Sequence, residues 1–108
     1  IDALAPMQIQ ISFADIEKSD HIEGFVNEKV HRATQHMADR ITRVEVHIHN
    51  ESEGTSSTGR TKRCVMEARP SGQSPIAVDD SADTIKQAIS NASHKLERVL
   101  KKNFDKAK

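Results

Sequence analysis

The order in which the hydrophobic periods change along this chain constrains its fold more than any other feature. Met7, Ile9, Ile11 and Phe13 alternate with Gln8, Gln10 and Ser12. A period of two marks a strand with one buried face. After a polar stretch at 14–19, Ile22, Phe25, Val26, Val30, Ala33 and Met37 recur mainly at intervals of three and four, as in a helix with one apolar stripe. The period returns to two over Ile41–Asn50, where Val44, Val46 and Ile48 oppose Glu45, His47 and His49. It holds over Lys62–Arg69, with Cys64, Met66 and Ala68 on one face, and over the shorter Pro75–Asp79. From about Ala82 a helical stripe resumes through Ile85, Ile89, Ala92, Leu96, Val99 and Leu100, and extends to Phe104. The predicted architecture is α+β, a two-layer β-α-β-β-β-α domain with a four-stranded sheet and two helices on one face. The first helix is a crossover, so the first two strands are expected to be parallel neighbours. The last three strands form an antiparallel run.

Local signals place the boundaries. Asp20 followed by Glu23 resembles a capping box, with Ser19 as the alternative cap. Glu51–Thr61, with Gly54 and Gly59, reads as a long hairpin loop, and Pro70-Ser71-Gly72-Gln73 as a turn. Asp79 and Asp80 are expected to cap the second helix and favour its dipole, with Asp83 acting likewise. A chain of 108 residues makes one domain with a modest core. Ile1–Pro6 precede Met7 and are expected to be an expression leftover, with 7–108 forming the domain. No apolar run approaches the ~18 residues of a membrane span, and no signal-peptide pattern opens the chain. The single cysteine, Cys64, rules out an intramolecular disulfide and fits a reducing, cytoplasmic compartment.

Net charge is zero, but the charge is segregated. Residues 1–54 hold five Lys or Arg against ten acids, whereas residues 82–108 hold seven against three. Local potential, not the total, decides whether a polyanion is attracted. In the second helix Lys95, Arg98 and Lys102 follow i, i+3, i+7 spacing, with Lys101 beside them and Lys86 near the start. Lys29, Arg32 and His36 repeat that spacing in the first helix. Arg60, Lys62 and Arg63 could add to the patch from the loop and third strand. Such a surface suits the phosphates of folded RNA. Cations near a helix C-terminus are also expected for stability alone. A base-stacking platform is excluded by composition, because Trp and Tyr are absent and only three Phe are present.

Other chemistry is weakly signalled. His47 and His49, with Glu45, could reach a metal, but no further ligand stands at a recognisable spacing. Cys64 alternates with inward residues and reads as a buried core thiol rather than a nucleophile. No phosphate loop or catalytic order is present, so no enzyme activity and no cofactor are expected.

The stretches Thr42–His47, Lys62–Arg69, Pro75–Val78, Ala88-Ile89 and Lys95–Leu100 together resemble the family of ribosome-associated inhibitors and hibernation-promoting factors. These are also called sigma-54 modulation or ribosomal subunit interface proteins. The similarity spans Met7 to about Lys106 and is strongest to short forms without an added dimerisation domain. It implies a fold like that of the double-stranded RNA-binding domain. It also implies binding to the small ribosomal subunit's RNA in the mRNA and tRNA channel, and inhibition or storage of ribosomes under stress or in stationary phase. The carried-over RNA contacts are Lys29, Arg32, Lys86, Lys95, Arg98, Lys101 and Lys102. The alternative is an interaction module that keeps the fold without ribosome binding, such as a homodimer paired through a strand edge.

Overall fold

The computed structural model describes residues 7–50 and 62–106. The elements follow the predicted order: β1 (Gln8–Ala14), α1 (Asp20–Thr34), a 3-10 turn (Ala38–Arg40), β2 (Ile41–Asn50), β3 (Lys62–Pro70), β4 (Ile76–Ala82) and α2 (Ile85–Lys106). The sheet order is β1-β2-β3-β4. β1 and β2 are parallel, from Gln8 opposite Arg43 to Ala14 opposite His49. The β2–β3 and β3–β4 pairs are antiparallel.

Pairing register aligns the buried faces. Ile9 and Ile11 stand opposite Val44 and Val46, and Val46 and Ile48 oppose Met66 and Cys64. Val26 and Val30 of α1 and Ile89, Ala92, Leu96 and Leu100 of α2 close over them. Phe104 extends the stripe as expected and is buried, whereas Val99, read as part of that stripe, is exposed. The opposite sheet face carries no helix among the described residues. Arg43, Glu45, His47 and His49 lie there, beside Arg63, Val65, Glu67 and Arg69.

Three boundaries differ from the sequence reading. Ser19, not Asp20, caps α1, its hydroxyl accepting from the Ile22 N–H at 3.3 Å. Glu23 therefore falls one position beyond a capping box and pairs with Lys18 at 3.5 Å instead. Asp79 and Asp80 are not helix caps. They belong to β4, which runs on to Ala82, because each finds a cation on its own side of the sheet. Thr84 takes the capping role at α2, accepting from the Gln87 N–H at 3.2 Å. The β3–β4 turn is as predicted, with Gly72 at φ +71° supplying the left-handed residue.

Both helices point the same way. α1 leaves the end of β1 and returns to the start of β2. α2 begins beside the start of β3, since Ala82 opposes Lys62. It finishes at the β3–β4 turn, where Asn103 donates to Gln73 at 2.6 Å. The two C-terminal ends therefore share one end of the domain, and a seam runs between the helices along its length.

Candidate functional site

Amphipathic helices present polar side chains to solvent, so cations on α1 and α2 collect on the outer face and along the seam. Lys29 of α1 holds its Nζ 5.3 Å from the centre of the Phe25 ring, and Lys86 from the first turn of α2 holds its Nζ 5.4 Å from the same ring. Each contact is worth about 0.5–1 kcal/mol at a solvated site. The ring is a meeting point for the two helices, and both ammonium groups sit against it with no ion pair to either among the described residues. Arg32 follows Lys29 by three residues on that flank. It is exposed, and no ion pair, hydrogen bond or ring contact engages it among the described residues. At the far end of the seam the Arg40 guanidinium stacks 4.3 Å from the Phe104 ring of α2.

The remaining expected contacts lie elsewhere. An α-helix turns about 100° per residue, so Lys86 and Lys95, nine residues apart, sit on opposite flanks of α2. Lys95 faces β4, donating to the Asp79 carbonyl at 3.1 Å and standing 3.6 Å from the Asp80 carboxylate. Arg98 and Lys102 point outward and are unpaired among the described residues. Lys101 lies 3.8 Å from Glu97, a solvated i, i+4 pair worth only about 0.3–0.5 kcal/mol. Lys62 donates to Asn50 at 2.8 Å, at the end of the sheet where α2 begins. Arg63 is on the helix-free face, its Nε and Nη2 both donating to Asp79 at 3.0 and 2.9 Å. Arg60 lies outside the described residues.

The ten expected residues thus do not form a single strip. Lys29, Arg32 and Lys86 gather at the seam. Arg98 and Lys102 form an outer row on α2. Lys95 and Arg63 are bound to acids of β4. Arg40 escapes sequence reasoning, because it sits between elements and belongs to no periodic row. The signal that could have found it is Phe104, a large ring near the end of a cationic helix.

The helix-free face handles charge differently. Arg43 and Arg69 stand directly opposite each other across β2 and β3, where like charges would repel. Glu45 lies 2.9 Å from Arg43 and 3.5 Å from Arg69, and Glu67 lies 3.1 Å from Arg69. His47 bonds Ser12 through Nδ1 at 2.6 Å and turns Nε2 toward Glu45 at 3.6 Å. His47 and Glu45 are therefore engaged with neighbours in the sheet. Among the described residues no cluster of three or more His, Cys, Asp or Glu is placed to hold a metal ion. Cys64 has no exposed surface, and burial pushes its thiol up from 9.0 to about 12. It stays protonated at neutral pH and is no nucleophile there. No described helix is long and apolar enough to cross a membrane.

A profile of the sigma 54 modulation protein / S30EA ribosomal protein family matches residues 9–108. The chain belongs to that family. It is the family that the strand and helix stretches resemble. Among solved structures, a ribosomal subunit interface protein from Coxiella burnetii superposes with a TM-score of 0.75 at 24% identity, over 94% of this chain and 100% of that one. The N-terminal domain of Protein Y from Thermus thermophilus gives a TM-score of 0.70 at 20% identity, over 89% of this chain and 98% of that one. At these identities the two structures show a shared fold. A search among curated proteins finds no match. In this sigma 54 modulation / S30EA member, the seam cations stand on two parallel helices backed by the four-stranded sheet.

Proposed function

We propose that this protein is a non-enzymatic, cytoplasmic regulator of translation. It binds the RNA of the small ribosomal subunit and occludes the channel used by mRNA and tRNA under stress or in stationary phase. Family membership supports the ribosomal setting, and the likeness to a ribosomal subunit interface protein from Coxiella burnetii agrees with it. The observation that carries the RNA-binding reading is the meeting of Lys29 and Lys86 over Phe25. Two ammonium groups against one ring, neither in an ion pair among the described residues, generate a positive potential that a phosphate relieves. Arg32 prolongs that potential along α1, and Arg98 and Lys102 present a second row to an adjacent backbone segment. Lys62, Lys101 and Arg60 are auxiliary contacts in this reading, while Lys95 and Arg63, held by their acids, contribute little.

Binding of this kind releases counterions, so affinity falls steeply with salt. The test is co-sedimentation with purified small subunits across a salt series. The expected result is binding at low salt, abolished at high salt and markedly weakened at every salt for Lys29→Glu/Arg32→Glu/Lys86→Glu. Unchanged sedimentation of that variant would remove the seam as the contact surface. Toeprinting of mRNA placement on the bound subunit separates occlusion from attachment elsewhere.

A further inference from the structure

The two edges of the sheet are built in opposite ways. β4 is the protected edge. Pro75 precedes it, and Asp79 sits at the centre of Ile76–Ala82. If two copies of β4 paired antiparallel about that centre, Asp79 would face Asp79, a like-charge opposition that edge strands use to refuse partners. β1 has none of these devices. Gln8–Ala14 contains no charge, no proline and no glycine. Its outer edge has no backbone partner among the described residues.

The side chains on β1 point the same way. Ile9, Ile11 and Phe13 face the helix layer but are only partly buried, unlike their neighbours on β2. With Ile16 they line an open cleft of about 420 Å³ between β1 and α1, rimmed by Lys18, Glu23 and Asn27. A strand added to this edge would bring alternate apolar side chains into that cleft.

We infer that β1 is a self-pairing edge, joining antiparallel to β1 of a second copy about Ile11 to give a continuous eight-stranded sheet. In that register Ile9 faces Phe13 of the second copy, Ile11 faces Ile11, and Gln10 faces Ser12. Apolar meets apolar on the helix side, and polar meets polar on the open side. The first charged residue past the strand, Asp15, falls opposite Met7, so no like charges confront each other. The contact is isologous and closes as a dimer. It stands apart from the helix seam and does not depend on ribosome binding.

Sedimentation equilibrium of the full chain over a wide concentration range tests it. The expected result is a mass rising toward twice the monomer's. Gln10→Lys/Ser12→Lys, both at exposed positions, sets Lys against Lys twice across the dyad, and the dimer is expected to weaken by about tenfold or more. Gln10→Glu/Ser12→Lys sets opposite charges at the same places and is expected to restore it. Circular dichroism of both variants should match the unaltered chain, so rescue by the charge swap cannot be a folding effect. A chain that stays monomeric at every concentration overturns the inference. So does a dimer indifferent to both variants, which would place the contact elsewhere.

Discussion

The helix layer and the helix-free sheet face differ in how they treat a positive charge. On the sheet face Arg43, Arg63 and Arg69 each stand within 3.1 Å of a carboxylate. Pairing in the strands fixes these neighbours two residues or one strand apart, so opposite charges settle into a lattice. On the helices Lys29 and Lys86 share a phenyl ring, and Arg32, Arg98 and Lys102 have no acid among the described residues. The same residue types are neutralised on the sheet face, while on the helices only Lys95 and Lys101 meet an acid among the described residues. Net charge, which is zero for the whole chain, conceals this contrast completely.

The contrast can be broken or sharpened by substitution. The largest effect is expected from the core that supports both faces. Leu96→Ala, at a fully buried α2 position, should cost about 2–5 kcal/mol in denaturant unfolding. Val65→Ala on the open face should cost less, about 1 kcal/mol, since that side chain is only partly buried. Next comes binding. Lys29→Glu/Arg32→Glu/Lys86→Glu should lower the slope of log affinity against log salt by about 3 for small-subunit binding, one for each phosphate that is no longer neutralised. The paired comparison, Arg63→Gln, should leave that slope unchanged. If Arg63→Gln weakened binding as much as the triple variant, the division between the two faces would be wrong.

Alkaline titration probes the core between them. The Cys64 thiol titrates near 9.0 when unfolded but is pushed up to about 12 in the fold. The neutral thiol is the form that the fold favours. Its stabilising contribution is whole below pH 9 and disappears as pH rises toward 12. Between those values stability should fall by about 1.4 kcal/mol per pH unit from this group, and Cys64→Ala should flatten that part of the profile. Smallest of all, Lys95→Met should change stability by no more than about 1 kcal/mol, because the Asp80 pair is partly solvated. It should leave subunit binding intact, which would separate the β4-facing flank of α2 from the seam.

The fold is largely legible in the sequence because its signals are local. Alternation alone bounds Ile41–Asn50 correctly, and the apolar stripe of α2 runs to Phe104 as its spacing requires. Asp79 and Asp80 mislead because paired acids before a helix usually serve its N-terminus. Here successive side chains in a strand point to opposite faces, so Asp79 meets Arg63 while Asp80 meets Lys95. Neither partner is near in sequence. The cationic rows of each helix can be read from spacing, but not which flank faces the other helix. That depends on packing, which separates Lys86 from Lys95 and joins it to Lys29. Arg40 is invisible for the same reason, since only the shared direction of the helices brings Phe104 beneath it.

The burial of Cys64 gives the molecule an internal gauge. A thiol held at about 12 offers almost no thiolate to an alkylating reagent near neutrality, and its place under α2 denies the reagent access as well. Labelling can then proceed only through an opening of the structure large enough to lift helix from sheet. The rate at which this one sulfur is modified therefore measures how often the two layers part.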